Sequence, residues 1–176
     1  EVIQATSSAG GALLITTNDA DNDSEELQLK GEAFKLSTSK KAYFSARFKL
    51  SDATESDMLL GLTITDTTAI DGVTDGVFFK KDDGDTNLDF VVEKDSTETA
   101  TAAVGTVADD TFITATFFID PDRSKVYYSI NNAAPVGVVN TNLPDDEELT
   151  VTLAIQAGAA AAKSLTVDYV SAIVER

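Results

Sequence analysis

Between residues 44 and 173 the chain alternates apolar and polar positions with a period of two. That period sends one row of side chains into a core and the next into water, as in half-buried antiparallel strands. The clearest inward rows are Phe44, Ala46, Phe48 and Leu50; Leu60, Leu62 and Ile64; Leu88, Phe90 and Val92; and Ile113, Ala115, Phe117 and Ile119. Val126, Tyr128 and Ile130 continue the pattern, then Val151, Leu153 and Ile155, and finally Leu165, Val167, Tyr169 and Ile173. Runs at residues 12–17 and 26–36 read as weaker strands. Tyr43, Ser45, Arg47 and Lys49 take the opposite face of the first row, as does Tyr127 beside Tyr128. Phe112 and Phe118, opposite Ile113 and Phe117, suggest a strand buried on both faces, in an intersheet core, the favoured reading, or at a subunit interface.

Turn chemistry falls between these rows. Lys81-Asp82-Asp83-Gly84-Asp85 separates two apolar runs, and Asp-Gly there signals a hairpin because Gly takes positive φ without a steric penalty. Asp120-Pro121-Asp122-Arg123 turns the chain with Pro at the first corner, and Asn131-Asn132 turns it again. The alanines at 159–162 are too few for an independent helix and read as a loop or one helical turn. About a dozen short strands without a convincing helix predict an all-β, two-sheet antiparallel sandwich. The 176 residues fit a single domain. We expect residues 1–24 to form an N-terminal arm or first edge strand and residues 25–176 the sandwich. Area scaling gives about 8,000 Å² of folded surface, so about 70% of the extended chain's surface is buried.

Thirty acidic residues against thirteen basic ones leave a net charge of −17 and a pI near 4.1. Such a surface repels phosphate backbones and anionic membranes, so neither nucleic acid nor membrane is an expected partner. His, Cys and Trp are absent, which removes the usual proton shuttle, thiolate chemistry, disulfides and the strongest sugar-stacking ring. Neither a membrane span nor a signal peptide is expected. The opening at Glu1 rather than Met implies an upstream piece removed or left out.

Few constellations carry chemistry. Glu93, Asp95 and Glu98 match the spacing E-x-D-x-x-E, used by laminarinase-type glucanases for a nucleophile and an acid on one strand. Here Lys94, Ser96 and Thr97 stand where such a strand needs core residues, so a solvated hairpin end is expected. Asp19, Asp21 and Asp23 have the alternate spacing of a calcium loop, but Ser24 and Lys30 stand where Gly and Glu are needed. Asp66, Asp71 and Asp75, and Asp82, Asp83 and Asp85, are further oxygen-rich groups for which a solvated turn is the better reading than a structural calcium. A lectin site would draw on Asp71-Gly72 and Asp75-Gly76. Ser and Thr are abundant, but no His exists to activate one.

The order of segments also carries a resemblance. It runs Tyr43-Phe44-Ser45-Ala46-Arg47-Phe48-Lys49-Leu50, Leu60-Gly61-Leu62, Asp75-Gly76-Val77-Phe78-Phe79 and Val126-Tyr127-Tyr128-Ser129-Ile130-Asn131. Thr141-Asn142-Leu143-Pro144 and Leu165-Thr166-Val167-Asp168-Tyr169-Val170 complete it. This succession resembles the concanavalin A/laminin-G-like jelly-roll structural proteins of tailed bacteriophages, the head decoration or cement type. The resemblance implies a protein without enzymatic activity on the capsid surface of a virion, bound to the major capsid protein lattice as a trimer or dimer. It transfers no catalytic, cofactor or metal residue. The alternative is a carbohydrate-binding, lectin-like module or a component of a phage fibre or tail.

Overall fold

The computed structural model describes residues 2–5 and 11–176. The strands are β1 (Val2–Ala5), β2 (Ala12–Thr16), β3 (Ser24–Gln28), β4 (Phe34–Lys35), β5 (Ala42–Leu50), β6 (Ser56–Thr63) and β7 (Gly76–Lys81). After them come β8 (Asn87–Lys94), β9 (Thr97–Thr106), β10 (Ile113–Asp120), β11 (Lys125–Ile130), β12 (Val136–Val139), β13 (Glu148–Ala157) and β14 (Ser164–Val174). One short helix, α1 (Ala69–Gly72), interrupts the connection from β6 to β7.

All pairings are antiparallel, and they build two sheets. Sheet I runs β1-β2-β14-β5-β10-β11-β12; sheet II runs β3-β13-β6-β7-β8-β9, with β4 also on β13. The expected all-β sandwich is the observed fold. Its accessible surface, 8141 Å², is what a well-packed chain of this size should show. Every inward residue of β5 and β10 is buried as the alternation requires: Phe44, Phe48, Leu50, Ile113, Phe117 and Ile119 among them. Phe44 and Phe117 of sheet I stack at 5.1 Å, and Phe79 and Phe90 of sheet II meet Phe117 at 6.3 and 5.9 Å. These rings tie the sheets together at the centre of the core.

The N-terminal segment supplies an edge of sheet I, and two expectations about facing change. The edge of sheet I is made by β1 on β2 and β2 on β14, with Ile15 fully buried, so residues 12–16 belong to the sandwich. Residues 1 and 6–10 of the expected arm lie outside the described residues. Tyr169 and Ile173, placed on the core row by alternation, point outward and are 44% and 61% exposed. The cause is a β-bulge: the register against β5 shifts between Val167 and Tyr169, leaving Asp168 as the extra residue. Phe112 and Phe118 are on the outer face of sheet I, where they pack on neighbouring side chains and not in an intersheet core.

The loop before β6 is held by two lysines. Lys81, 1% exposed, donates to the carbonyls of Thr54, Ser56 and Asp82, so all three ammonium protons are used. Lys163 reaches Asp52 at 2.7 Å and Glu55 at 3.3 Å.

Candidate functional site

Two surface clefts stand out, one on each sheet. On sheet II, Asp95 and Ser96 both take positive φ (50° and 59°), forming a two-residue turn that folds β9 back on β8. The turn sets Glu93 directly opposite Glu98. The sequence spacing therefore belongs to a hairpin end, as its polar filling implied, yet the two glutamates do come together. Lys80 of β7 reaches Glu98 at 3.2 Å. Asp95 plays a different part: its N–H donates to Asp75 at 3.0 Å, bracing the turn.

The floor of this cleft is apolar because α1 covers the sheet beside it. Leu59, Ala69, Phe78, Val91 and Ala154 form a second buried cluster, joined by Ile70 and Val73. The segment is tied down at β3, where Glu26 accepts the Ala69 N–H at 3.2 Å and Gln28 accepts that of Asp66 at 3.2 Å. What remains open is a cleft of about 310 Å³, with Phe78 in its floor and Lys80, Asp71, Asp82, Glu93 and Glu98 around it. Burial pushes the Glu93 carboxyl up, and the negative charge of Glu98 adds to the effect. Burial works against the Lys80 ammonium, but the hydrogen bond and charge of Glu98 outweigh it and hold its pKa above the ordinary value. The chemistry on offer is a pair of carboxyls beside an ammonium, suited to hydroxyl-rich ligands.

The other oxygen-rich groups are structural. Asp23 accepts from the Asn18 backbone at 2.7 Å, Asp66 from Thr68 at 2.7 Å, and Asp85 from Asn87 at 2.7 Å. Asp75, 6% exposed, is consumed by Thr74 and the Asp95 amide. Asp71 alone of the expected lectin residues lines a cleft. Among the described residues no three acidic side chains converge as metal ligands.

On sheet I the bulge at Asp168 turns Ile173 outward, beside Tyr43; Tyr43 pairs with Phe118, Phe118 with Tyr127, and Tyr127 with Gly137. The Phe118 and Tyr127 rings stack at 4.8 Å and 7°. A Cβ on Gly137 would sit 2.8 Å from Tyr127, so glycine leaves room for that ring. Tyr43 is 39% exposed. A cleft of about 450 Å³ opens between Tyr43, Phe118 and Ile173, with Lys41, Asp120, Asp122 and Glu175 at its rim. Two cations elsewhere on this face are paired: Arg47 with Asp168 at 2.6 Å and Lys49 with Asp110 at 2.7 Å. Alternation correctly sends Tyr43 and Phe118 outward. Their meeting depends on β5 lying beside β10, which no local pattern reveals.

No family model matches the chain, and no curated protein matches it. Solved structures do. The carbohydrate recognition domain of Emp47p aligns with TM-score 0.70 and 14% identity over 98% of this chain and 87% of that one. The fold is the concanavalin A-like jelly roll. An endo-β-1,4-glucuronan lyase of Trichoderma reesei gives TM-score 0.66 and 9% identity, covering 98% of this chain and 86% of the lyase. A Bacteroides ovatus GH16 protein of a mixed-linkage glucan locus, solved with an oligosaccharide product, gives 0.64 and 12%, covering 98% and 85%. At these identities the likeness establishes the fold alone. It also overturns the expectation of a chain without enzymatic activity, since the same sandwich houses a polysaccharide lyase and a GH16 protein and is compatible with an enzyme.

Proposed function

We propose that the chain is an attachment module, a decoration protein lying on the outer surface of a phage head and bridging neighbouring capsid subunits through sheet I. The observation that carries this reading is the outer face of that sheet. In a molecule of charge −17, its Arg47 and Lys49 are matched by acidic partners, while Tyr43, Tyr169 and Ile173 stay exposed. Exposed aromatic and aliphatic side chains beside neutralised charges are what a protein partner desolvates at little cost. On a repeating lattice, weak contacts of this kind sum through multivalency, and assembly as a dimer or trimer would multiply them again. A fibre or tail position would use the same face.

Purified heads stripped of decoration provide the test. The chain should co-sediment with them and saturate at a copy number set by the capsomers. Tyr169→Ser and Ile173→Ser should each weaken binding about tenfold. Absence of binding to heads, or variants that bind like the parent, would remove the reading. Light scattering reports whether the free chain is a dimer or trimer.

A second reading is favoured by the sheet II cleft: recognition, or turnover, of a saccharide. Glu93, Glu98 and Lys80 supply acceptors and donors over an apolar floor, and the similar solved structures include a carbohydrate recognition domain and a GH16 protein. A glycan array run with and without calcium, followed by product analysis on the hits, examines it. Saturable binding that Glu93→Gln weakens at least about tenfold would place this reading first; an array without hits removes it.

A further inference from the structure

The sheet I cleft is built for a particular kind of guest. One face of the Phe118 ring is taken by Tyr127, stacked at 4.8 Å. Tyr43 and Ile173 stand across the cleft from it, and the three carboxylates of Asp120, Asp122 and Glu175 line the rim together with Lys41. Two of the three are partly engaged. Asp120 pairs with Arg123 at 3.5 Å and accepts the Asp122 N–H at 3.1 Å; Glu175 accepts the Lys41 N–H at 3.1 Å. The Asp122 carboxylate has neither an ion pair nor a hydrogen bond among the described residues, and it is exposed.

The same face already contains this recognition mode once, filled from within. Arg47 lies 4.1 Å above the Phe112 ring centroid and bonds Asp168 at 2.6 Å. A guanidinium on an aromatic face with a carboxylate in its plane combines cation–π attraction with a charge-assisted hydrogen bond. The cleft repeats the aromatic wall and the carboxylates, and the nearest guanidinium, Arg123, is held beside Asp120 and Tyr127 without lining it. The net charge of −17 steers basic partners toward the molecule at long range.

We infer that this cleft is a socket for an arginine side chain presented by the docking partner. The inference rests on the reading of sheet I as the attachment face, and it names the partner's chemistry there: an arginine flanked by aliphatic residues able to cover Ile173.

The full chain, isotopically labelled, is titrated at low salt with acetyl-Gly-Arg-Gly-amide, with its citrulline counterpart, and with cellotetraose. The arginine peptide should shift the Tyr43, Phe118 and Ile173 amides saturably, and citrulline should bind at least tenfold more weakly. The Asp122→Asn/Glu175→Gln double variant should lose about tenfold for arginine while melting like the parent. Equal binding of arginine and citrulline, diffuse unsaturating shifts, or cellotetraose moving the same amides overturns the socket. In the head-binding assay, the double variant should fall in step with Tyr169→Ser. If Tyr169→Ser weakens head binding and the double variant does not, the socket is wrong and the attachment face stands. If neither weakens it, the attachment face itself is wrong and the socket's assignment goes with it.

Discussion

Gly61 sits in the middle of β6, between two residues that make the core. A Cβ built there would lie 2.5 Å from the Phe78 backbone and closer still to the Val77 carbonyl. Those atoms belong to the neighbouring central strand, so they cannot swing aside as the end of a flexible side chain would. The position leaves no room for a side chain because Phe78, its partner across the ladder, is itself buried with Leu59 and Ala69. Gly61→Ala should therefore destabilise the chain by about 3 kcal/mol, the upper end of ordinary overpacking. Chemical denaturation measures it; a loss below about 1 kcal/mol would mean that β6 and β7 can part more easily than this packing implies.

At the scale of an element, β14 shows how one residue redirects a whole face. Val167 pairs with Phe48 and Tyr169 with Arg47, so Asp168 is surplus to an otherwise continuous ladder. Removing it should leave every downstream pair in place, because Tyr169 would then follow Val167 in strict alternation. Deletion of Asp168 from this central strand should cost about 1 kcal/mol, mostly the half-exposed pair with Arg47. Tyr169 and Ile173 should remain solvent-accessible by NMR paramagnetic quenching; their burial, or failure to fold, would contradict this geometry. The same residue explains why alternation misplaced Tyr169 and Ile173: a period-two reading cannot register an extra residue, and it inverts every side chain beyond it. Strand β9 escaped the reading for a different reason. As an edge strand, half exposed along its length and broken by Ala103 at φ 54°, it presents Thr and Ala to both sides and carries no alternation. The rows of β5, β8 and β10 were legible because each has one fully buried face. The Glu93–Glu98 pair was legible as a spacing, but its geometry depends on two left-handed turn residues and on Lys80 from another strand. The sheet I cleft joins residues 41–43, 118–122 and 173–175, which only the strand order brings together.

For the whole molecule, acidity divides its carboxylates into two groups with opposite effects on stability. Glu26, Asp57 and Glu93 have raised pKa values, each chiefly because burial disfavours the charged form. A carboxyl raised in the folded state penalises folding while ionised; that penalty is complete above its folded pKa and disappears as pH falls through it to the unfolded value. Asp52 is lowered, first by the hydrogen bond from Lys163 and then by backbone amides. Its stabilisation is present above the unfolded aspartate value, about 3.9, and is lost as pH falls through its own lower folded pKa. Lys163 is raised by Asp52 first and Glu55 after it, so its share is intact below about 10.4 and lost as pH climbs through the folded value. Acidification from neutrality also shrinks the net charge of −17 and the self-repulsion that goes with it. Both effects act in the same direction until Asp52 begins to protonate. Stability should therefore rise as pH falls from neutrality toward the unfolded carboxyl range, then drop below about 3.9. In a chain of this length each kcal/mol moves Tm by about 2–4 °C, so calorimetry at constant ionic strength resolves the rise. The Asp57→Asn/Glu93→Gln double variant should flatten the upper limb, and Asp52→Asn should soften the acid drop. A Tm that declines steadily as pH falls from neutrality toward the unfolded carboxyl range would mean that the raised carboxyls are not shielded from water as their positions under α1 and beside Lys81 require.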